Sequence, residues 1–346
     1  MNDRTETTLD GYWTPPTALT LVALRNGLRA MIIGRRLDRQ ASNLAKQGYL
    51  TVYPSSLGQE ACQVAAAQAL GPDDWLFPTY RDSVAMFTHR IDPVKVLTML
   101  RGDWHCGFDP KAHRCAPHST PLATHCAHAV GLAMASVKKG EKRVAMALCG
   151  DGATSEGDFH EALNIAAVFK APVVFFVQHN GYAISTPSRR QFRAKSLADK
   201  AIGYGIRGEK VDGNDFVATI SVLRDAVEHA RNGFGPVLVE ARTYRVSPHT
   251  NADDPDRYRN RSEAEPWLEH DPIARLTEYL TAQGRLARDT LRDIEDAAEE
   301  LAADLRRRVM IPPEADPARL FAHVYADPPP HLQEQRIAVL SEEYVA

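Results

Sequence analysis

No apolar run in the chain approaches the roughly 18 residues needed to cross a bilayer, so a membrane span is not expected. Neither sign of charge is in excess: 41 Lys and Arg stand against 44 Asp and Glu, a formal net charge of −3. That balance offers nothing to attract nucleic acid or an anionic membrane surface. Cysteine is sparse and odd in number. Cys62, Cys106, Cys115, Cys126 and Cys149 have no tight framework spacing, and reduced thiols are the expectation. The stretch Met1 to Pro16 lacks the basic-then-apolar layout of a signal peptide and the Arg-rich layout of a transit peptide. These features together read as a cytoplasmic protein.

What is present is ordinary globular material, 346 residues with 44% hydrophobic and 25% charged side chains. Residues 1–16 look like a loose arm. Leu21, Leu24, Leu28, Met31 and Ile32 recur at helical spacing within Ala18 to Gln47, and Gly48 closes that helix. A second helix is expected over Leu57 to Leu70, ended by Gly71-Pro72. The middle of the chain then alternates. Val144–Cys149 has strand character, Phe159–Phe169 helical, Val173–Val177 strand, Phe216–Arg231 helical and Val237–Ala241 strand. Such alternation predicts an α/β fold, a doubly wound parallel sheet with helices on both faces. Strands this apolar should be buried on both sides. The sheet-bearing domain should occupy 17–271. Residues 272–346 should form a helical C-terminal extension, with a charged helix over Asp293–Arg308 stopped by Pro312-Pro313 and an extended tail from Pro328.

Two polar residues follow two of these strands. Asp151 comes directly after the first and Asn180 just after the next. If the intervening helix is a crossover, the strands are parallel neighbours, and both side chains reach the carboxyl edge where open α/β sheets bind ligands. A carboxylate and an amide oxygen are hard ligands suited to magnesium, which fills its remaining positions with phosphate oxygens and water. Gly150 and Gly152 let the backbone turn sharply and approach an anion, and the following helix aims its N-terminal amides there. The site so described suits a metal-bridged diphosphate. No Gly-Lys-Ser/Thr follows, so a Walker-type loop is excluded, and the nicotinamide fingerprint is absent too. By itself Gly-Asp-Gly is more often a plain strand-to-helix turn; the paired Asn180-Gly181-Tyr182 changes that balance.

Gly150-Asp151-Gly152, the following Ala153-Thr154-Ser155-Glu156-Gly157-Asp158 and the later Gln178-His179-Asn180-Gly181-Tyr182-Ala183-Ile184-Ser185 resemble the thiamine diphosphate motif of 2-oxo acid dehydrogenase alpha subunits, of the heterotetrameric pyruvate and branched-chain types. Pro78-Thr79-Tyr80-Arg81-Asp82, Ser119-Thr120-Pro121-Leu122-Ala123-Thr124 and Tyr244-Arg245-Val246-Ser247-Pro248-His249-Thr250 match in the same order, and the likeness runs from about Ala18 to the tail. The resemblance implies the thiamine-diphosphate-binding fold with helical N- and C-terminal extensions. It implies that Asp151, Asn180 and the Tyr182 carbonyl hold Mg2+. Gly152, Ala153, Tyr80, Arg81 and Gln178 would lie at the diphosphate, and Thr120 and Leu122 at the aminopyrimidine. His249 would act as acid/base and acyl-transfer residue with Arg245 beside it. The implied reaction is oxidative decarboxylation of a 2-oxo acid, the cofactor serving as electron sink, with acyl transfer to a lipoyl group. The implied partners are a beta subunit in an α2β2 assembly and a lipoyl-bearing core transacylase.

Three departures from the family pattern stand out. His179 replaces Asn, Gln178 replaces the arginine of some relatives, and His125 replaces a Gln of the potassium (K+) site of the mammalian branched-chain type, of which Ser119, Thr124 and the Pro121 carbonyl remain. The stretch His105, Cys106, His113, Cys115, His118, His125, Cys126 and His128 invites a zinc reading, but it has no Cys-x-x-Cys pair and overlaps the pyrimidine motif. Branched-chain 2-oxo acids are favoured as substrate, with pyruvate the alternative. A non-catalytic scaffold subunit is the alternative of another class; retention of Asp151, Asn180 and His249 together argues against it.

Overall fold

The computed structural model describes residues 19–103, 105–312 and 316–341; the arm expected over 1–16 and Pro313 lie outside them. The chain divides into two compact units, one ending at Arg306 and the other covering 307–346.

The first unit is built on five strands: β1 (Trp75–Phe77), β2 (Ala145–Gly150), β3 (Val173–His179), β4 (Arg207–Asp212) and β5 (Val237–Arg242). They form one sheet in the order β1-β2-β3-β5-β4, with every pair parallel. Parallel neighbours need long crossovers, and helices supply most of them. The longer helices are α1 (Leu21–Lys46), α2 (Glu60–Ala69), α3 (Thr124–Lys138), α4 (Gly157–Val168), α5 (Phe216–Arg231), α6 (Pro272–Ala282), α7 (Arg288–Val309) and α8 (Pro330–Ser341).

Strand side chains alternate between two cores. Met146, Leu148, Val174, Phe176, Val237 and Val239 enter one, where α1, α2 and α5 cover them. Ala145, Ala147, Cys149, Val173, Phe175 and Val177 enter the other, beneath α3 and α4. Both faces are therefore dry, as the unbroken apolar runs implied. Each fully buried phenylalanine, such as Phe159, Phe175 or Phe176, contributes about 1.5–3 kcal/mol by leaving water.

Several boundaries differ from the sequence reading. α2 starts at Glu60 rather than Leu57, and α4 starts at Gly157 after a short 3-10 turn over Asp151–Ser155. α7 starts at Arg288, one turn early, and buries Ile294, Ala298, Ala302 and Leu305 along one face. α1 closes at Gly48 as expected: the Tyr49 N–H donates to the Leu44 carbonyl at 3.0 Å and Gly48 N–H to Ala45 at 3.1 Å, with Gly48 at φ +82. Within the second unit, the segment expected to be an extended tail is instead the helix α8. Proline at the first helical position costs no hydrogen bond, since that N–H has no intrahelical partner anyway. Pro330 therefore starts a helix rather than preventing one.

Register positions the site. Gly150 pairs with Gln178 at the carboxyl ends of β2 and β3, so Asp151 and Asn180 emerge side by side. A two-residue hairpin follows at once, Tyr182–Ala183 against Thr186–Pro187.

Candidate active site

A cavity of about 410 Å³ opens at that edge. Its lining contains every residue assigned from the sequence: Tyr80, Arg81, Thr120, Leu122, Asp151, Gly152, Ala153, Gln178, Asn180, Tyr182, Arg245 and His249. They come from segments as far apart as 80 and 249 in the chain, gathered by the parallel order of the strands.

One wall is an oxygen cluster. Asp151 is fully buried and Asn180 6% exposed. The Asn180 side-chain position nearest Asp151 lies 3.2 Å from Asp151 Oδ1 and 3.2 Å from the Tyr182 carbonyl oxygen. With the amide oxygen there, three oxygens face one another with only the Tyr182 N–H, at 3.3 Å, to relieve them. With the amide turned, its NH2 bridges the other two. Ligands about 2.1 Å from an octahedral magnesium ion stand roughly 3 Å apart along an edge. The spacing therefore fits a magnesium ion. Among the described residues no trio of His, Cys, Asp or Glu side chains converges on a metal point, which is consistent with a site made from one carboxylate, one amide and one carbonyl.

The opposite wall is cationic. Arg81 is 6% exposed and Arg245 1%. Arg81 donates to the Ser55 carbonyl at 3.0 Å and the His249 carbonyl at 2.9 Å; Arg245 donates to the Ile184 carbonyl at 2.7 Å and Tyr258 Oη at 2.8 Å. Among the described residues neither forms an ion pair with a carboxylate. Two buried guanidiniums without a counter-ion are costly alone, and an anion in the cavity offsets that cost.

His249 stands between them. Its Nδ1 lies 3.1 Å from Arg81 Nη2 and 3.3 Å from Arg245 Nη1. Guanidinium groups only donate, so Nδ1 is bare and the proton of the neutral ring sits on Nε2. Burial, then the charges of Arg81 and Arg245, push His249 down to about 4. Asp253 counters weakly, accepting from the His249 N–H at 2.7 Å and from Tyr258 Oη at 2.5 Å. Arg259 clamps the strand end above by donating to the carbonyls of Arg245, Val246 and Ser247.

Glycine acts here by closeness rather than by unusual torsion. Neither Gly150 nor Gly152 has a positive φ. A Cβ on Gly152 would lie 2.7 Å from Ala183 Cβ, whereas one on Gly150 would meet nothing.

Some lining residues were given no role by the sequence. Gln59 accepts from Asn180 Nδ2 at 3.3 Å, while its own Nε2 is buried without a partner. Asp82 is fully buried, its carboxyl pushed up by burial, and takes Gln178 Nε2 at 2.6 Å; Gln178 Oε1 is left without a partner. Nothing at the sequence level distinguishes Gln59 from an ordinary helix-capping residue. The remaining parts of the potassium pattern, and the His125 that departs from it, have local partners. Ser119 Oγ donates to the Pro121 carbonyl at 2.8 Å, Thr124 Oγ1 to Asp158 at 3.0 Å, and His125 Nε2 lies 2.6 Å from the Leu148 carbonyl.

Comparison with known proteins gives the family. The family model for the Dehydrogenase E1 component matches residues 28–317. The 3-methyl-2-oxobutanoate dehydrogenase subunit alpha of Mycobacterium tuberculosis is 46% identical over 312 residues, 90% of this chain and 85% of the relative. The pyruvate dehydrogenase E1 component subunits alpha of Staphylococcus aureus and Acholeplasma laidlawii are 36% and 35% identical, over 89% of this chain and 84% and 90% of theirs. E1 components use thiamine diphosphate with Mg2+, and their alpha subunits pair with beta subunits. A shared family model across most of the chain, and a cavity built from a hard-oxygen cluster facing two unpaired guanidiniums, together make this chain a member of the dehydrogenase E1 component family: the alpha subunit of a thiamine-diphosphate-dependent 2-oxo acid dehydrogenase, which carries out oxidative decarboxylation.

Proposed function

We propose that the preferred substrate is a branched-chain 2-oxo acid, with pyruvate the lesser one, and that the acyl group passes to a lipoyl group on a core transacylase. The observation that carries the preference is the 46% identity to a 3-methyl-2-oxobutanoate dehydrogenase subunit alpha, against 35–36% for pyruvate-type subunits. In this reading Asp151, Asn180 and the Tyr182 carbonyl hold magnesium. Gly152, Ala153, Tyr80, Arg81 and Gln178 take the diphosphate, and Thr120 and Leu122 the aminopyrimidine. Gln59 joins them, because it lines the cavity and its buried Nε2 has no partner. When bound, thiamine diphosphate supplies the electron sink for decarboxylation. This chain's own residues supply the rest. Arg81 and Arg245 bind negative charge and keep Nδ1 of His249 unprotonated, and His249 holds a transferable proton at Nε2. Apolar Val52, Leu100 and Ile184 line the same cavity and help exclude water.

The assembly is α2β2 in a cytoplasmic setting. The division of the chain into an arm over 1–16, a cofactor domain over 17–271 and a helical extension over 272–346 belongs to the same reading. Thr120 and Leu122 sit at an exposed rim, where the beta subunit would close the cleft and bring the carboxylate that thiamine chemistry needs beside the pyrimidine. For potassium, the Ser119 and Thr124 hydroxyl oxygens and the Pro121 carbonyl remain, while His125 supplies no oxygen in place of the Gln.

The test is turnover of the purified alpha and beta subunits on a panel of 2-oxo acids. We expect kcat/KM for 3-methyl-2-oxobutanoate to exceed that for pyruvate by about 10-fold or more, the scale on which pocket volume discriminates, and no sustained turnover by the lone chain. A preference for pyruvate overturns the substrate assignment, and turnover by the lone chain overturns the two-chain site.

A further inference from the structure

Behind the oxygen wall of the cavity, a line of polar side chains runs back into the sheet. Glu240 stands on β5 with 1% of its surface exposed, and β3 pairs with β5 so that Val177 lies opposite it. His179, two residues further along β3, shares that face. Its Nδ1 lies 2.6 Å from Glu240 Oε1 and its Nε2 lies 2.8 Å from Ser188 Oγ. Ser188 Oγ in turn donates to Asp151 Oδ2 at 3.1 Å. The far end of the line is anchored as well: the other Glu240 oxygen accepts from the Ser196 hydroxyl and from the Ala198 N–H. Phe192 meets the His179 ring edge-on at 5.6 Å.

We propose that Glu240, His179 and Ser188 form a positioning relay for Asp151, holding its Oδ2 back so that Oδ1 faces Asn180 and the Tyr182 carbonyl. A carboxylate free to rotate about its last torsion presents either oxygen, and that torsion is soft. Two donors fix it here, Ser188 Oγ and Gln191 Nε2 at 2.9 Å. Gln191 is itself tied to the Thr186 carbonyl on the surface hairpin. Ser188 is tied through His179 to a carboxylate in the middle of the sheet, so this arm of the restraint is the rigid one. Outer partners of this kind orient metal ligands and set metal affinity without touching the metal. The relay touches neither substrate nor cofactor; its three members are positioning residues.

The inference rests on reading Asp151 as a magnesium ligand, and the experiment separates the two. The chain is assembled with its beta subunit, thiamine diphosphate is titrated calorimetrically at graded Mg2+, and the Mg2+ concentration giving half-maximal cofactor binding is read. Ser188→Ala should raise that concentration about 10-fold or more, the usual scale of losing an outer partner, and Ser188→Thr, which keeps the hydroxyl, should stay within about 2-fold of the parent. His179→Ala should raise it similarly and add little to Ser188→Ala, because both cut the same line and their effects are not independent. A merely structural His179 would add its effect in full. If Asp151→Ala abolishes magnesium-dependent binding while Ser188→Ala shifts nothing, the relay is wrong and the metal site stands. If Asp151→Ala leaves that binding unchanged, the metal assignment fails and takes the relay with it. Should His179→Ala not fold, the Ser188→Ala and Ser188→Thr pair decides.

Discussion

In the proposed reading, His249 is the residue on which most of the chemistry converges. Burial, and then the two guanidiniums aimed at its Nδ1, hold it at about 4, well below the range in which a solvated imidazole titrates. The ring is therefore neutral at pH 7, with its proton on Nε2. Diphosphate bound as proposed would place negative charge beside Arg81, weaken the guanidinium field on the ring and draw its titration upward. His249→Ala removes the proton carrier and leaves both arginines in place. We expect acyl transfer to the lipoyl group to fall by about 100-fold or more, the scale of losing an acid/base group, with a much smaller change in cofactor affinity by calorimetry. Transfer at the parent rate would take His249 out of the mechanism. The residue's candidacy was legible from Tyr244-Arg245 before it and Asp253-Asp254 after it. Gln59 was not, because a lone glutamine next to a helix start has no chemical signature until Asn180, 121 positions away in sequence, is folded against it.

At the scale of elements, the sheet edge depends on how closely the covering helices approach. α1 packs on α5 where Gly27 faces the Phe216 ring, and a Cβ at Gly27 would lie 2.3 Å from two ring carbons. Phe216 is 2% exposed and held among buried neighbours, with little room to turn. Gly27→Ala gains helix propensity but overpacks this contact, and we expect a net loss of about 1–3 kcal/mol in urea unfolding. An unchanged midpoint would mean that the ring moves aside freely. The strands that the sequence revealed, β2, β3 and β5, are those buried on both faces, where long apolar runs are interrupted towards the carboxyl ends by Gln178, His179 and Glu240. β1 and β4 escaped notice for the same reason in reverse. β1 has three residues, and β4 is an edge strand, Arg207-Gly208-Glu209-Lys210-Val211-Asp212, whose polar side chains face water alternately. Edge strands carry charge as protection against pairing with other chains, and that charge hides them from an apolar count.

For the molecule as a whole, pH is the clearest handle. His118 is buried with neither ring nitrogen partnered, and burial pushes it down to about 4. Its folded value lies below that of the unfolded chain, so below about pH 6.5 the unfolded state takes up a proton that the folded state refuses. Stability is full above that pH and is lost as pH falls towards 4. Asp38 acts in the opposite sense, raised by burial to about 6, so that its ionisation between pH 4 and 6 opposes folding. A variant comparison separates the two. The fall in unfolding free energy between pH 7 and pH 5 should shrink by about 2 kcal/mol in His118→Leu, the linkage expected for a histidine moved from 6.5 to 4. Asp38 contributes equally to both proteins and cancels. An identical pH dependence in the variant would mean that His118 is charged, or hydrated, in the folded state.

Local and periodic information was enough for the class of fold and for the family. Apolar runs of strand length, the helical period between them and the order of four motifs are written in consecutive residues, so they survive without coordinates. The twelve residues to which the sequence assigned a role all line the cavity, because each lies inside one of those motifs, whereas Gln59, Val52 and Leu100 line it too and lie in none of them. Tertiary structure decided everything that depends on which residues face each other across the sheet. The carboxyl ends of β2 and β3 had to align before Asp151 and Asn180 could stand side by side. Arg81 had to be buried against His249, 168 positions later, before that histidine's proton could be assigned to Nε2. Glu240 had to enter the middle of the sheet diagonally from His179 before His179 could be anything more than a departure from the family pattern. Side-chain chemistry is local, but electrostatic fields, hydrogen-bond commitments and dry surroundings come from neighbours that only folding supplies.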